Sequence, residues 1–235
     1  MPDNSHRLGG VSILTVTPLD ENGRVSEANL RDLLKFVTAP SIDGESPRSV
    51  TVVAEMGEGY ALTPEDQAAV VRIAKDEVGG KCAIIAAVFA LSFRDAVEQA
   101  TRLRDAGADA VLVAPVAPFV YTGKILERFY GAIGDAVDLP LIAYLNKMFK
   151  KELPSDEILK AVYAIPSVIA IKDSTGDMEF QRRLIAARPE GKLMIQTVTG
   201  IALEGVKEGA DGLMVGTSNI VPDSVLEVWV HGRGG

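Results

Sequence analysis

Short apolar segments alternate with amphipathic ones along this 235-residue chain. The apolar segments are rich in Val, Ile and Ala and contain few polar residues, which is typical of parallel strands buried on both faces. The amphipathic segments have the spacing of helices that bury one face. Strand and helix therefore alternate eight times in the predicted order of elements.

The predicted elements have the following bounds. Strands are predicted over residues 11–18, 49–55, 82–89, 110–116, 140–146, from 168 onward, 192–199 and 212–219. Helices are predicted over residues 26–38, from 63 toward 80, 93–106, 122–137, from 155 onward, 177–187, 201–208 and within 221–230. Ser26 is the predicted N-cap of the first helix, and Thr63 with Pro64 opens the second.

Eight strand–helix units predict a single α/β domain, a closed (β/α)8 or TIM barrel with its active site at the C-terminal ends of the strands. A weak internal repeat supports this, because residues 105–109 resemble residues 207–211. An open doubly wound sheet is the alternative, but eight regular units without a long insertion favour closure. Residues 1–9 and 231–235 are predicted tails. The short remainder after the eighth strand predicts a short or truncated last helix that covers the barrel thinly.

Composition narrows the possible partners and location. The net charge of −8 and pI of about 4.9 argue against nucleic acid or an anionic membrane as a partner. The first residues are polar, without the apolar segment of a signal peptide, and no apolar run is long enough to span a bilayer. The single cysteine, Cys82, excludes an intrachain disulfide and suits a reducing compartment, so we expect a cytoplasmic protein.

Histidine usage excludes several kinds of catalytic site. The chain has two histidines, His6 and His231, and both lie in the predicted tails. The body of the domain therefore has no histidine for a Ser-His-Asp triad, a Cys-His pair or a histidine-bound zinc ion. No GxGxxG or GxxxxGK[ST] phosphate loop occurs either. The chemistry is left to lysine, tyrosine, carboxylates, hydroxyls and backbone groups, and we expect no metal and no organic cofactor.

The sixth predicted strand carries a lysine, Lys172, in an apolar setting. Alternation places Val168, Ala170, Lys172 and Ser174 on one face of this strand. Burial disfavours an ammonium ion, and a neutral amine is a nucleophile that attacks carbonyl carbons. The alternative is a strand-end lysine that reaches solvent or pairs with Asp173, and this segment alone does not decide between the two.

Further candidates lie at the ends of other strands. Tyr144 ends the fifth strand, beside the lysine strand in a barrel, where a phenol can relay protons; a core aromatic is the alternative. After the second strand, Gly57 permits a tight turn whose amides could hold a carboxylate. Small residues and hydroxyl side chains also lie at the same rim, at Gly200 and residues 216–219. The alternative is that these residues only form turns.

These residues resemble a known family, the dihydrodipicolinate synthase / N-acetylneuraminate lyase group of Schiff-base aldolases and dehydratases acting on 2-oxo acids. The resemblance covers about residues 10–222. Its markers are residues 16–18 (VTP), Gly57-Glu58, Leu139-Pro140 with Tyr144, residues 171–177 (IKDSTGD, where the family has IKEATGD or similar) and residues 212–222. The resemblance implies that Lys172 is the Schiff-base lysine and Tyr144 the proton-relay tyrosine. It also implies a homo-oligomer, a dimer or a tetramer.

The chain departs from the family pattern at several positions. The family's GTTGE or GSTGE is AEMGE at residues 54–58, so that Glu55 and Met56 replace two hydroxyl residues. Val120 stands at the position of a relay tyrosine, with Tyr121 one place later. Residues 145–149 lack the asparagine, proline and arginine that follow the catalytic tyrosine in the synthase. The chain is therefore expected to be a divergent member without a role in lysine biosynthesis.

The leading hypothesis is a carbon–carbon or carbon–oxygen lyase that acts on a pyruvate-like 2-oxo acid or 2-oxo sugar acid. Lys172 would form the imine and Tyr144 would move the protons. The predicted substrate-binding residues are Thr17, Glu55, Met56, Gly57 and Gly200. Two alternatives stay open: a non-catalytic barrel, either binding 2-oxo acids or purely structural, and a phosphate-handling barrel that uses the loop of residues 212–218.

Overall fold

Eight parallel strands close into a barrel in the order of the sequence. The computed structural model of the protein describes residues 5–90, 92–115, 122–144 and 153–234. β1 pairs with β2 on one side and with β8 on the other, where Gly10 lies opposite Gly212. The predicted (β/α)8 barrel is therefore confirmed, and an open sheet is excluded. The strands are β1 (Gly10–Leu14), β2 (Ser49–Val52), β3 (Ala83–Ala90), β4 (Ala110–Pro115), β5 (Leu141–Tyr144), β6 (Val168–Asp173), β7 (Leu193–Gln196) and β8 (Gly212–Val215).

Eight of the described helices follow strands and pack on the outside of the barrel, and a short first helix precedes β1. They are α1 (Ser5–Leu8), α2 (Glu27–Thr38), α3 (Pro64–Val78), α4 (Phe93–Asp105), α5 (Gly123–Val137), α6 (Asp156–Tyr163), α7 (Met178–Ala187), α8 (Ala202–Lys207) and α9 (Pro222–Gly232). Thr63 caps α3 as predicted, since its side chain accepts a hydrogen bond from the amide of Asp66 at 3.1 Å. Ser26 occupies the N-cap position of α2, but its side chain makes no capping hydrogen bond.

Both faces of the sheet are buried, which explains the continuous apolar strands. Alternate residues fill the barrel interior, among them Ala87, Leu112 and Ile142. The other residues form a larger core with the helices. Because side chains on both faces of each strand are buried away from water, the strand sequences show little alternation of polar and apolar residues.

Both ends of the chain differ from the prediction. Residues 5–8 form a helical turn, and Leu8 is buried against the barrel-interior cluster rather than lying in a tail. The last helix, α9, has 11 residues and buries Leu226 and Trp229. A short last helix is therefore present as predicted, and it contributes buried side chains to the core; His231 belongs to α9 rather than to a tail.

An irregularity between β5 and β6 changes which side chains face the interior. Leu141 pairs with Val168, but Ile142 pairs with Ala170, so one residue of β6 is skipped. Val168 consequently packs with the helices, whereas Ala170 belongs to the interior cluster. The predicted shared face was wrong for Val168.

Within the described ranges, no helix combines the length and apolar character needed to cross a bilayer.

Candidate active site

Lys172 lies near the C-terminal end of β6 and is almost completely buried. Its strand neighbours are Tyr144 on β5 and Ile195 on β7, and 2% of its surface is exposed. Burial lowers the pKa of Lys172 to about 8, although the nearby Glu55 raises it in part. At pH 7 such an amine is about one-tenth neutral, compared with about 0.03% for an ordinary lysine. The lysine therefore does not extend into solvent, and it supplies far more nucleophile than a surface lysine.

Tyr144 presents its ring to the lysine. The Nζ atom of Lys172 lies 3.7 Å from the ring centroid. The hydroxyl of Tyr144 lies 2.8 Å from Oγ of Ser174, and either atom can donate this hydrogen bond. Ser174 was absent from the predicted site residues, although its position two residues after Lys172 was the signal that could have found it. The tyrosine is thus both buried and in contact with the lysine.

Glu55 supplies the carboxylate beside the lysine. Its Oε2 atom lies 3.7 Å from Nζ of Lys172. Asp173, the partner considered in the sequence, instead accepts a hydrogen bond from the amide of Thr175 at 2.9 Å. The carboxylate of Glu55 is therefore turned toward the amine, across the barrel from β2 to β6.

The loop after β2 holds Glu55 through a tight backbone arrangement. Val53 has a φ of 50°, a left-handed conformation that a β-branched residue adopts only under strain. The amides of Gly57 and Gly59 both donate to the carbonyl of Ala54, at 3.1 and 3.0 Å. A Cβ at Gly59 would lie 1.7 Å from the carbonyl oxygen of Val53, so only glycine fits there. The loop is therefore compact, and it accepts only glycine at position 59.

The other predicted substrate-binding residues occupy the same rim with different contacts. The hydroxyl of Thr17 donates to the carbonyl of Gly57 at 2.7 Å, and the Gly57 amide is already engaged within the loop. The amide of Met56 has no hydrogen-bond partner among the described residues. The Met56 side chain is half exposed and lies against Gly216. A Cβ atom added to Gly216 would lie 2.7 Å from the methyl group of Met56. Gly200 is exposed in the turn Thr199–Ile201, and in the described part of the chain no hydrogen bond joins it to Lys172.

Several predicted features lie outside the described residues. These are Val120 and Tyr121 after β4, and residues 145–149 after Tyr144. Within the described ranges, no three His, Cys, Asp or Glu side chains lie close enough together to hold a metal ion.

The fold and these contacts define a (β/α)8-barrel protein whose candidate active site combines a buried lysine, a tyrosine and a glutamate at the C-terminal rim. The sequence model of the dihydrodipicolinate synthetase family matches residues 7–235. The chain therefore belongs to this family.

Named relatives are similar at low identity. The chain is 29% identical over 229 residues to the 4-hydroxy-tetrahydrodipicolinate synthase of Psychrobacter sp., covering 97% of this chain and 74% of the relative. It is 28% identical over 222 residues to an uncharacterized DapA-like lyase of Pyrobaculum islandicum, covering 94% of this chain and 72% of the relative. Both relatives are thus longer than the matched region.

Solved structures share the fold. The chloride-inhibited dihydrodipicolinate synthase of Acinetobacter baumannii, complexed with pyruvate, is 29% identical with a TM-score of 0.86, covering 96% of this chain and 76% of that one. The N-acetylneuraminate lyase of Fusobacterium nucleatum also has a TM-score of 0.86, at 20% identity, covering 97% of this chain and 77% of that one. At that identity, the second comparison concerns the fold alone.

Proposed function

We propose that this protein is a lyase that forms an imine between Lys172 and the ketone of a pyruvate-like 2-oxo acid. The observation that carries the proposal is the buried amine of Lys172 at the catalytic rim, 3.7 Å from the ring of Tyr144. Its lowered pKa supports the proposal, because a neutral amine is required for attack on a carbonyl. The choice of 2-oxo acid is supported by the pyruvate complex of the Acinetobacter baumannii relative.

The chemistry follows from the amine. The neutral Lys172 amine attacks the ketone carbon and gives a carbinolamine, which loses water to form a protonated imine. This imine accepts the electron pair of a neighbouring carbon–carbon bond as that bond breaks, which is aldol cleavage. The same imine supports the reverse addition or loss of a hydroxyl as water. Tyr144, hydrogen-bonded to Ser174, relays protons in the cleavage, addition and dehydration steps that follow imine formation.

Reductive trapping tests the proposal. The protein is incubated with pyruvate and borohydride, and any adduct is located by peptide mass spectrometry. We expect one carboxyethyl group on Lys172 and none in Lys172→Ala. Lys192 is an internal control, since its pKa is also lowered by burial although it lies near the start of β7 and donates to the carbonyl of Val168.

Two outcomes would contradict the proposal. If Lys192 were labelled to the same extent as Lys172, a lowered pKa would be enough to explain the adduct. No specific binding site at Lys172 would then be needed. A folded protein that gives no adduct with pyruvate or other small 2-oxo acids would favour the non-catalytic barrel.

Two expectations stay predictions. We expect a homo-oligomer, a dimer or tetramer of the 25.0 kDa chain, which light scattering would measure directly. The cytoplasmic location rests on composition and cysteine usage, and cell fractionation would test it.

A further inference from the structure

One oxygen of Glu55 is buried without a hydrogen-bond partner. Oε1 of this side chain is inaccessible to solvent and accepts no hydrogen bond from the described residues, while Oε2 lies 3.7 Å from Nζ of Lys172. Leaving a carboxylate oxygen buried and unbonded costs free energy, so such an oxygen needs a structural or chemical reason. A proton donor that is present only during the reaction provides one.

Backbone hydrogen bonds hold the main chain of Glu55 in place. The amide of Glu58 donates to the carbonyl of Glu55 at 3.1 Å, inside the turn that Val53 and Gly59 make possible. Tyr144, by contrast, faces the lysine with its ring, and its hydroxyl is engaged with Ser174. The carboxylate of Glu55 is therefore an acid–base group that faces the amine directly.

We propose that Glu55 is a catalytic residue that shuttles protons during imine formation at Lys172. This assignment rests on the proposed function and adds a residue to it. It also explains why a glutamate stands where one of the two hydroxyl residues was expected: the carboxylate is directed at the amine rather than at a substrate carboxylate.

The proton transfers balance. The ammonium of Lys172 gives a proton to Glu55, and the resulting amine forms the new C–N bond as the carbonyl π bond breaks. Glu55 returns its proton to the carbonyl oxygen, then takes one from the carbinolamine nitrogen. It finally protonates the hydroxyl, which leaves as water while the nitrogen lone pair forms the C=N bond. Glu55 ends as the carboxylate, and the imine keeps one N–H.

This cycle predicts an unusual pH dependence, because it starts from the protonated amine of Lys172 beside Glu55. The described titratable groups facing Lys172 are Glu55 and Tyr144, and the neighbour on β7 is the uncharged Ile195. Imine formation should therefore slow as the pH rises through about 8, where Lys172 loses the proton that the cycle uses. A lysine acting without Glu55 would instead react faster with rising pH.

The test compares Glu55→Gln with wild type by cyanoborohydride trapping of pyruvate, with the reductant in excess so that imine formation limits the rate. We expect trapping at pH 7 to fall about 100-fold or more in Glu55→Gln. We also expect its pH dependence to reverse and rise with pH. Glu58→Gln is the matched control, an exposed glutamate three residues away, and should behave as wild type.

Simple electrostatics makes the opposite prediction. Loss of the Glu55 charge lowers the pKa of Lys172 further, which would speed trapping at pH 7. If Glu55→Gln traps as fast as wild type, or faster, Glu55 is not a proton shuttle, although the imine function would stand. If wild type forms no adduct at any pH, the proposed function fails as well. Should Glu55→Gln fold poorly by circular dichroism, Glu55→Ala decides instead: added formate should restore its trapping, and no rescue would overturn the assignment.

Discussion

The buried lysine should make the stability of this protein depend on pH in a predictable direction. The pKa of Lys172 is about 8 in the folded protein and 10.5 as its ordinary value. Between these values the unfolded chain binds more protons than the folded one, so the free energy of unfolding rises with pH. Lys172 is 2% exposed, so solvent screening does little to reduce this effect.

The magnitude follows from the two pKa values. Relative to a lysine that is neutral in both states, the lowered pKa of Lys172 costs about 3 kcal/mol of stability at pH 7 and about 1 kcal/mol at pH 10. The stability of wild type relative to Lys172→Met should therefore increase by about 2 kcal/mol between these pH values. Taking the difference cancels the other groups that titrate in the same window, such as Cys82, whose pKa is raised by burial to about 11.

The assay is urea unfolding followed by the fluorescence of Trp229, the single tryptophan, which is buried in α9. The comparison is repeated in a Glu55→Gln background. There the pKa of Lys172 should be lower still, so the change with pH should be larger. A stability difference that stays constant from pH 7 to pH 10 would refute the lowered pKa, and with it the physical basis of the reactive amine.

Three further predictions test other parts of the site and core. Tyr144→Phe should keep the reductive adduct but slow turnover about 100-fold, because the lysine remains while the hydroxyl is lost; unchanged turnover would remove the tyrosine from the proton relay. Gly59→Ala should destabilise the protein by about 3 kcal/mol or more in urea unfolding, because its Cβ meets the carbonyl of Val53, whereas Gly80→Ala has open space and should change stability little. Cys82 should resist a disulfide reagent at pH 8 in the native protein and react in denaturant, because it is buried and burial raises the pKa of its thiol; rapid native labelling would contradict this.

The periodicity of the sequence was sufficient to predict the barrel architecture. The alternation of apolar and amphipathic segments predicted all eight strands, because parallel strands buried on both faces carry an apolar pattern that helices do not share. Strand ends were predicted less well. β2 stops at Val52 rather than at residue 55, since Val53 adopts a left-handed conformation that its own side chain disfavours.

The sequence by itself also determined that Lys172 and Tyr144 lie at the C-terminal ends of neighbouring strands of a barrel, because strand order follows from eight consecutive parallel units. Only the tertiary structure decided that Glu55 turns toward Lys172, since loop conformation depends on backbone contacts from Ala54 to Gly59 that no periodicity encodes. It likewise decided that Val168 faces the helices. The register between two strands is set by closure of the whole barrel, and a single skipped residue reverses the face.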